Sequence, residues 1–210
     1  MANYYDNEDF FSGYMEIRSF DGDAAPKIVE GRTIQGYAVV FNRESRIMFD
    51  KAKKRYFTEV IKSGAITPDL LQRSDVKALV EHNRERLLAR NIKGAGSLTL
   101  EIDEYGLKYR FDAPNTQDGE YAVEMIRRGD IFGSSFAYYA NESDVSYEKK
   151  ADGTLLRSVN KIAYIGDVSP VSDPAYFGTD VEVRSLDSFF EEKIDESYKE
   201  EIINLRKLSV

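Results

Sequence analysis

The stretch SLTLEIDEYGLKYRFDA, residues 97–113, constrains the fold more than any other segment of the chain. Leu98, Leu100 and Ile102 alternate with polar residues, DEYG supplies a turn, and Leu107, Tyr109 and Phe111 resume the alternation. A period of two with one apolar face predicts a β-hairpin lying on a core. The residues around it extend the pattern. Gly13 to Ser19, TIQGYAVVF at 33–41, VKALVEH ending at His82, Leu155 to Val159 and Ile162 to Val168 are rich in β-branched and aromatic residues and read as strands. FDGDAAPK between the first two reads as a loop, and PVSDPAY as a turn of the chain.

Helical signals are fewer. After the hairpin, Asn115 or Thr116 can cap a helix whose apolar positions Ala122, Met125 and Ile126 fall three and four apart, with Gly129 as its stop. Short helices are expected at Phe57 to Ser63 and Pro68 to Arg73, and residues 42–56 have no clean period and read as an exposed excursion. Leu186, Phe189, Phe190, Ile194, Tyr198, Ile202 and Leu205 share one helical stripe, which predicts an amphipathic helix over 185–210. That stripe either packs on its own domain or docks a partner. The expected organisation is a flexible arm over 1–12, one domain over 13–184 and the C-terminal helix. Its class is α+β, a mostly antiparallel β-barrel or sandwich flanked by helices.

Composition narrows the chemistry. The chain has 0 Cys, which removes disulfides, cysteine nucleophiles and thiolate zinc sites. A single histidine, His82, excludes multi-histidine metal sites, and no spacing singles out a calcium loop, a Walker loop or a glycosidase carboxylate pair, so no metal and no cofactor is expected. The net charge of −8 argues against phosphate backbones and anionic membranes as partners. No apolar run reaches the length of a membrane span and the N-terminus is acidic and polar, so the chain is expected to be soluble and unexported.

Serine chemistry remains. GDIFGSSFAYYA, residues 129–140, sets Ser134 and Ser135 at the start of a strand. A serine attacks a carbonyl only when a base takes its proton, and His82 is the one imidazole available. Spacing does not join the two, and taken alone His82 also reads as a surface or hydrogen-bonded core residue. Successive strand side chains point to opposite faces, so only one of the two serines can face a histidine.

Six blocks taken in order resemble the prohead proteases of tailed phages, the HK97-type family related to herpesvirus assemblin: IQGYAVVFNRES, FTEVIKSGAI, VKALVEHNRERLLAR, LTLEIDEYGLKYRFDAPNT, IRRGDIFGSSFAYYA and YIGDVSPVSDPAYFGTDVEVR. The resemblance covers roughly residues 33–184 and implies an assemblin-like fold and a serine endopeptidase acting in the host cytoplasm inside the assembling procapsid. It implies cleavage of scaffold or of the scaffold-like segment of the major capsid protein, and of the enzyme itself. His82 matches the family's histidine, Ser135 its nucleophile, and Asp167 the acid, which in relatives is most often glutamate. Asp167 is one methylene shorter, so its reach must be made up by the backbone. Ala137 stands where many relatives have glycine. The relation to assemblin also implies a homo-oligomer, with a dimer the simplest. The alternatives are a non-catalytic capsid assembly module of the same fold and a β-barrel binding domain unrelated to phage.

Overall fold

The computed structural model describes residues 15–45, 47–50 and 54–173. The expected arm over 1–12, the helix over 185–210 and both ends of the expected domain 13–184 lie outside them. In chain order the strands are β1 (Glu16–Phe20), β2 (Lys27–Glu30), β3 (Thr33–Val40), β4 (Met48–Asp50), β5 (Arg55–Ile61), β6 (Asp75–Val80), β7 (Asn83–Ile92), β8 (Ala95–Gly96), β9 (Leu98–Ile102), β10 (Gly106–Asp112), β11 (Gly133–Tyr139), β12 (Val145–Lys149), β13 (Leu155–Val159) and β14 (Tyr164–Val171). The α-helices are α1 (Pro68–Arg73) and α2 (Gln117–Arg128).

The hairpin forms as its alternation predicts. Leu107, Tyr109 and Phe111 of β10 are buried while Arg110 and Asp112 are exposed, and β9 pairs with it antiparallel from Leu107–Ile102 to Phe111–Leu98. Asp103 fixes the turn by accepting from the N–H groups of Tyr105 and Gly106. Helix α2 starts at Thr116, whose hydroxyl accepts from Gly119 N–H, and stops at Gly129, which takes the left-handed conformation at φ 81° that glycine adopts without strain. Helix α1 has Thr67 as its cap and Pro68 in its first turn.

Three sheets result, and none closes into a barrel among the described residues. A central six-stranded sheet has the order β1-β11-β14-β6-β7-β8, a second has β2-β3-β10-β9, and a third has β12-β13-β5-β4. The first two stack as a sandwich, β3 lying against β1 and β11, with Ile34, Ala38, Tyr109, Phe136, Ile165 and Val168 among the residues sealed between them. The barrel alternative is thereby set aside, and the sandwich of a single mostly-β domain stands.

Two local expectations are corrected. Phe57 to Ser63 is not helical: Arg55–Ile61 is strand β5, paired with β4 on one side and parallel to β13 on the other, with Phe57 to Ile61 all buried. A segment covered on both faces shows no alternation, so periodicity cannot separate it from a buried helix. Residues 42–56 are no simple excursion, since β4 pairs Phe49 with Tyr56 across its hairpin. The sheets are mostly antiparallel, with parallel joins at β5–β13 and β6–β14. The second of these joins positions the site.

Candidate active site

Strand β6 ends at Val80 rather than at His82, and the chain returns as β7 after a two-residue connection made of Glu81 and His82, with Val80 paired to Asn83. Both connecting residues have positive φ, 54° and 56°. A two-residue turn of this kind usually carries Asn-Gly because those residues tolerate the left-handed region. Here each non-glycine residue costs about 1–2 kcal/mol, so the surrounding sheet must hold the turn in place.

From that turn the imidazole reaches across the sheet. Nε2 lies 2.6 Å from Ser135 Oγ on β11, and Nδ1 lies 2.6 Å from Asp167 Oδ1 on β14. The three sequence-derived candidates therefore meet, although 53 and 85 residues separate His82 from its two partners. The strand that carries Asp167 is irregular just before it. Ala137 pairs with Asp167 and Tyr138 with Ile165, so Gly166 is an extra residue, a β-bulge directly before the carboxylate.

The two serines face opposite ways, as strand alternation requires. Ser135 lies on the face of β11 shared with His82 and Asp167. Ser134 points the other way, into the sandwich, where its hydroxyl donates to the Ala24 carbonyl at 2.8 Å and lies 2.8 Å from the Tyr109 hydroxyl. Burial pushes the Tyr109 phenol well above its ordinary value, and the Ser134 contact offsets only part of that rise.

Two contacts at the site carry no sequence motif of their own. Ser169, opposite Ser135 on β14, donates its hydroxyl to Asp167 Oδ1 at 2.8 Å, so one carboxylate oxygen is held by two donors. Residues i and i+2 of a strand share a face, which is the signal that pairs Ser169 with Asp167. The second contact is a main-chain carbonyl: Ser135 Oγ also lies 2.9 Å from Arg18 O on β1. A hydroxyl has one proton to give. When His82 is neutral with its proton on Nδ1, Ser135 donates to Nε2. When the ring is an imidazolium, Nε2 donates to Ser135 and the hydroxyl proton turns to Arg18. The heavy-atom positions accommodate both states, as a group that shuttles one proton requires. Ser135 and Ser169 are fully buried, whereas the side chains of His82 and Asp167 remain 16% and 13% exposed.

The opposite face of β1 and β11 is anchored by charge. Arg18 and Arg157 both pair with the buried Glu59 carboxylate, Arg157 also pairs with Glu16, and Tyr138 donates to Glu59. Burial pushes Glu59 up, but the two guanidinium groups more than offset this and hold it at about 2. Arg127 and Arg128, the positively charged side chains nearest the start of the serine strand in sequence, are engaged at the end of α2, Arg127 with the Gly31 carbonyl and Arg128 with Asp130. Among the described residues no cluster of three His, Asp or Glu side chains is arranged to hold a metal, and no helix is long and apolar enough to cross a membrane.

A hydroxyl, an imidazole and a carboxylate in series can move a proton from oxygen to nitrogen while the far ring nitrogen stays bonded to the acid. The family model of the caudovirus prohead serine proteases matches residues 22–193, most of the chain and all three of these positions. The chain belongs to the caudovirus prohead serine protease family. Prohead proteases of this family are serine peptidases of phage capsid maturation, which agrees with a site built around a hydroxyl. No curated protein and no solved structure matches this prohead protease family member.

Proposed function

We propose that this chain is a serine endopeptidase with Ser135 as nucleophile, His82 as general base and acid, and Asp167 as the group that orients the ring. The observation that carries the proposal is the imidazole held at 2.6 Å from both a hydroxyl and a carboxylate. Ser135 Oγ attacks the scissile carbonyl carbon as its proton passes to His82 Nε2. The tetrahedral intermediate collapses when the imidazolium returns that proton to the departing amine nitrogen, leaving an acyl-enzyme on Ser135. Water then adds to the acyl carbon, losing its proton to Nε2, and the serine leaves with that proton. Throughout, Nδ1–H stays bonded to Asp167, which fixes the tautomer and stabilises the cation.

In this reading the substrates are the scaffold protein or the scaffold-like segment of the major capsid protein, together with the enzyme's own chain, cut inside the assembling procapsid. Residues 13–184 form the catalytic domain, the fold is related to that of assemblin, and a second copy of the chain is a partner. Support comes from the family match and from the ordered blocks of the sequence.

The test is incubation with the cognate capsid protein, followed by N-terminal sequencing of the products. Cleavage by the unaltered chain should fall roughly a millionfold in Ser135→Ala and in His82→Ala. Undiminished cleavage by either variant overturns the assignment.

A further inference from the structure

The turn that presents His82 is unfavourable by itself, and the structure shows what holds it. Glu81 donates its N–H to the Pro170 carbonyl at 3.2 Å, and its carboxylate oxygen Oε1 accepts the N–H of Ser172 at 2.7 Å. Both partners belong to the end of β14 and the residue following it, the same strand that carries Asp167 and Ser169. The paired registers between β6 and β14 run over Asp167–Lys77 and Val168–Ala78. Beyond them, the two Glu81 bonds carry the join on to Ser172. The tip of the β6–β7 hairpin is thus clamped to β14 at two points that straddle Val171.

We propose that Glu81 is a positioning residue for His82: its side chain clamps the left-handed turn to the end of β14 and so sets the distance from the imidazole to Ser135 and Asp167. This rests on the reading of His82 as the base. The side chain does not touch the reacting atoms, and its effect passes through the backbone it shares with His82. Reactions between positioned groups are sensitive to such a device, since a displacement of about 1 Å can lower the rate by two orders of magnitude. Left-handed backbone at a non-glycine pair, without a clamp, relaxes away from the geometry that the ring needs.

Three substitutions separate the clamp from its alternatives. Glu81→Ala removes the acceptor. Glu81→Asp keeps the charge and suits positive φ better than glutamate, yet is one methylene short of Ser172 N–H. Glu81→Gln loses the charge and keeps an acceptor oxygen at the right length. Turnover of the cognate capsid protein should fall about tenfold in the Ala and Asp variants with KM changed less than twofold, and should return to within about threefold of the unaltered chain in Glu81→Gln.

A second readout is independent of activity. His82 is the chain's one histidine, so its ring signals in a nitrogen–proton NMR spectrum assign themselves. The Nδ1–H proton bonded to Asp167 should be sharp and far downfield in the unaltered chain and in Glu81→Gln, and broadened or lost in the Ala and Asp variants, each shown to be folded by its thermal transition. Glu81→Asp, being suited to the turn, keeps the test available if Glu81→Ala fails to fold. Unchanged turnover and ring signals in Glu81→Asp, or an equal loss in Glu81→Gln, overturn the clamp. His82→Ala and Ser135→Ala run beside them: cleavage that survives those two refutes the active-site reading, whereas their inactivity beside a fully active Glu81→Asp refutes the clamp alone.

Discussion

The paired serines offer a crossed test, because one should govern stability and the other activity. Ser134 is fully buried, and its hydroxyl is shared between the Ala24 carbonyl and the Tyr109 phenol, each at 2.8 Å. Ser134→Ala leaves both of those groups without this partner inside the sandwich. An orphaned buried polar group costs about 1–3 kcal/mol, and the two together should cost about 2–4 kcal/mol after partial relaxation. For a domain of this size that is a fall in Tm of roughly 4–16 °C, at about 2–4 °C per kcal/mol. Cleavage of the cognate capsid protein by the folded variant should stay within about threefold, since Ser134 faces away from His82. Ser135→Ala should show the reverse pattern, with cleavage abolished and a smaller fall in Tm than Ser134→Ala, since it takes a partner from the Arg18 carbonyl but leaves a ring that is partly open to water. Adding Tyr109→Phe to Ser134→Ala removes the orphaned phenol and should cost less than the sum of the two changes, by about 1 kcal/mol in urea unfolding. A stable Ser134→Ala protein without cleavage, or a Ser135→Ala protein that cleaves, would refute the face assignment.

Other expectations concern the acid, the ion network and a crowded glycine. Ser169→Ala removes one of the two donors that hold Asp167 Oδ1, and should lower kcat about tenfold with little change in KM, measured under the same cleavage assay; an unchanged kcat means the hydroxyl does not orient the acid. Glu59 has a folded pKa of about 2, below the ordinary 4.5, so its contribution to stability is fully present above pH 4.5 and drains away as the pH falls from there towards 2. Urea unfolding between pH 6 and 3 should therefore show a steep loss that Glu59→Gln flattens, at the expense of about 3–5 kcal/mol at neutral pH, where two buried guanidinium groups are left with Glu16 as their carboxylate. Parallel curves for the two proteins would contradict the sign. At Gly36 an added Cβ would meet the Tyr109 hydroxyl at 2.7 Å and Ser134 Oγ at 2.8 Å. Gly36→Ala should then destabilise by about 1–3 kcal/mol in thermal unfolding, and less in a Ser134→Ala background.

How much of this was legible depends on how each segment is buried. The 97–113 hairpin and helix α2 have one face in the core and carry their own turn and cap residues, so local pattern suffices for both. Strand β5 is covered on both sides, which erased its period and suggested a helix. Strand β7 was not foreseen at all: NRERLLARNI buries Leu88, Ala89 and Asn91 behind charged neighbours, and register shifts at its pairing with β6 break the alternation. Parallel joins are invisible locally because each partner lies far along the chain. For the site, pattern alone says only that no more than one of the two serines can face a histidine. The choice of His82, Ser135 and Asp167 came from family resemblance, and the folded chain shows them within hydrogen-bond reach. Ser169 was readable in principle from its i+2 spacing. The Arg18 carbonyl was not, since a main-chain acceptor has no residue type, and Glu81 was not, since nothing near it reveals which strand end its carboxylate meets.

The base, the hydroxyl and the acid hang from neighbouring strands of a single sheet, and the strand between the other two, β14, is made last of the three. A chain synthesised as far as residue 160 already has its imidazole and both serines, but lacks the strand that separates and seats them. The three side chains therefore meet only when the central sheet is complete, and one of its joins, β6 with β14, links segments far apart in the chain and is slow to close. On the proposed assignment of the site, a chain that has not finished folding cannot cut its neighbours or itself.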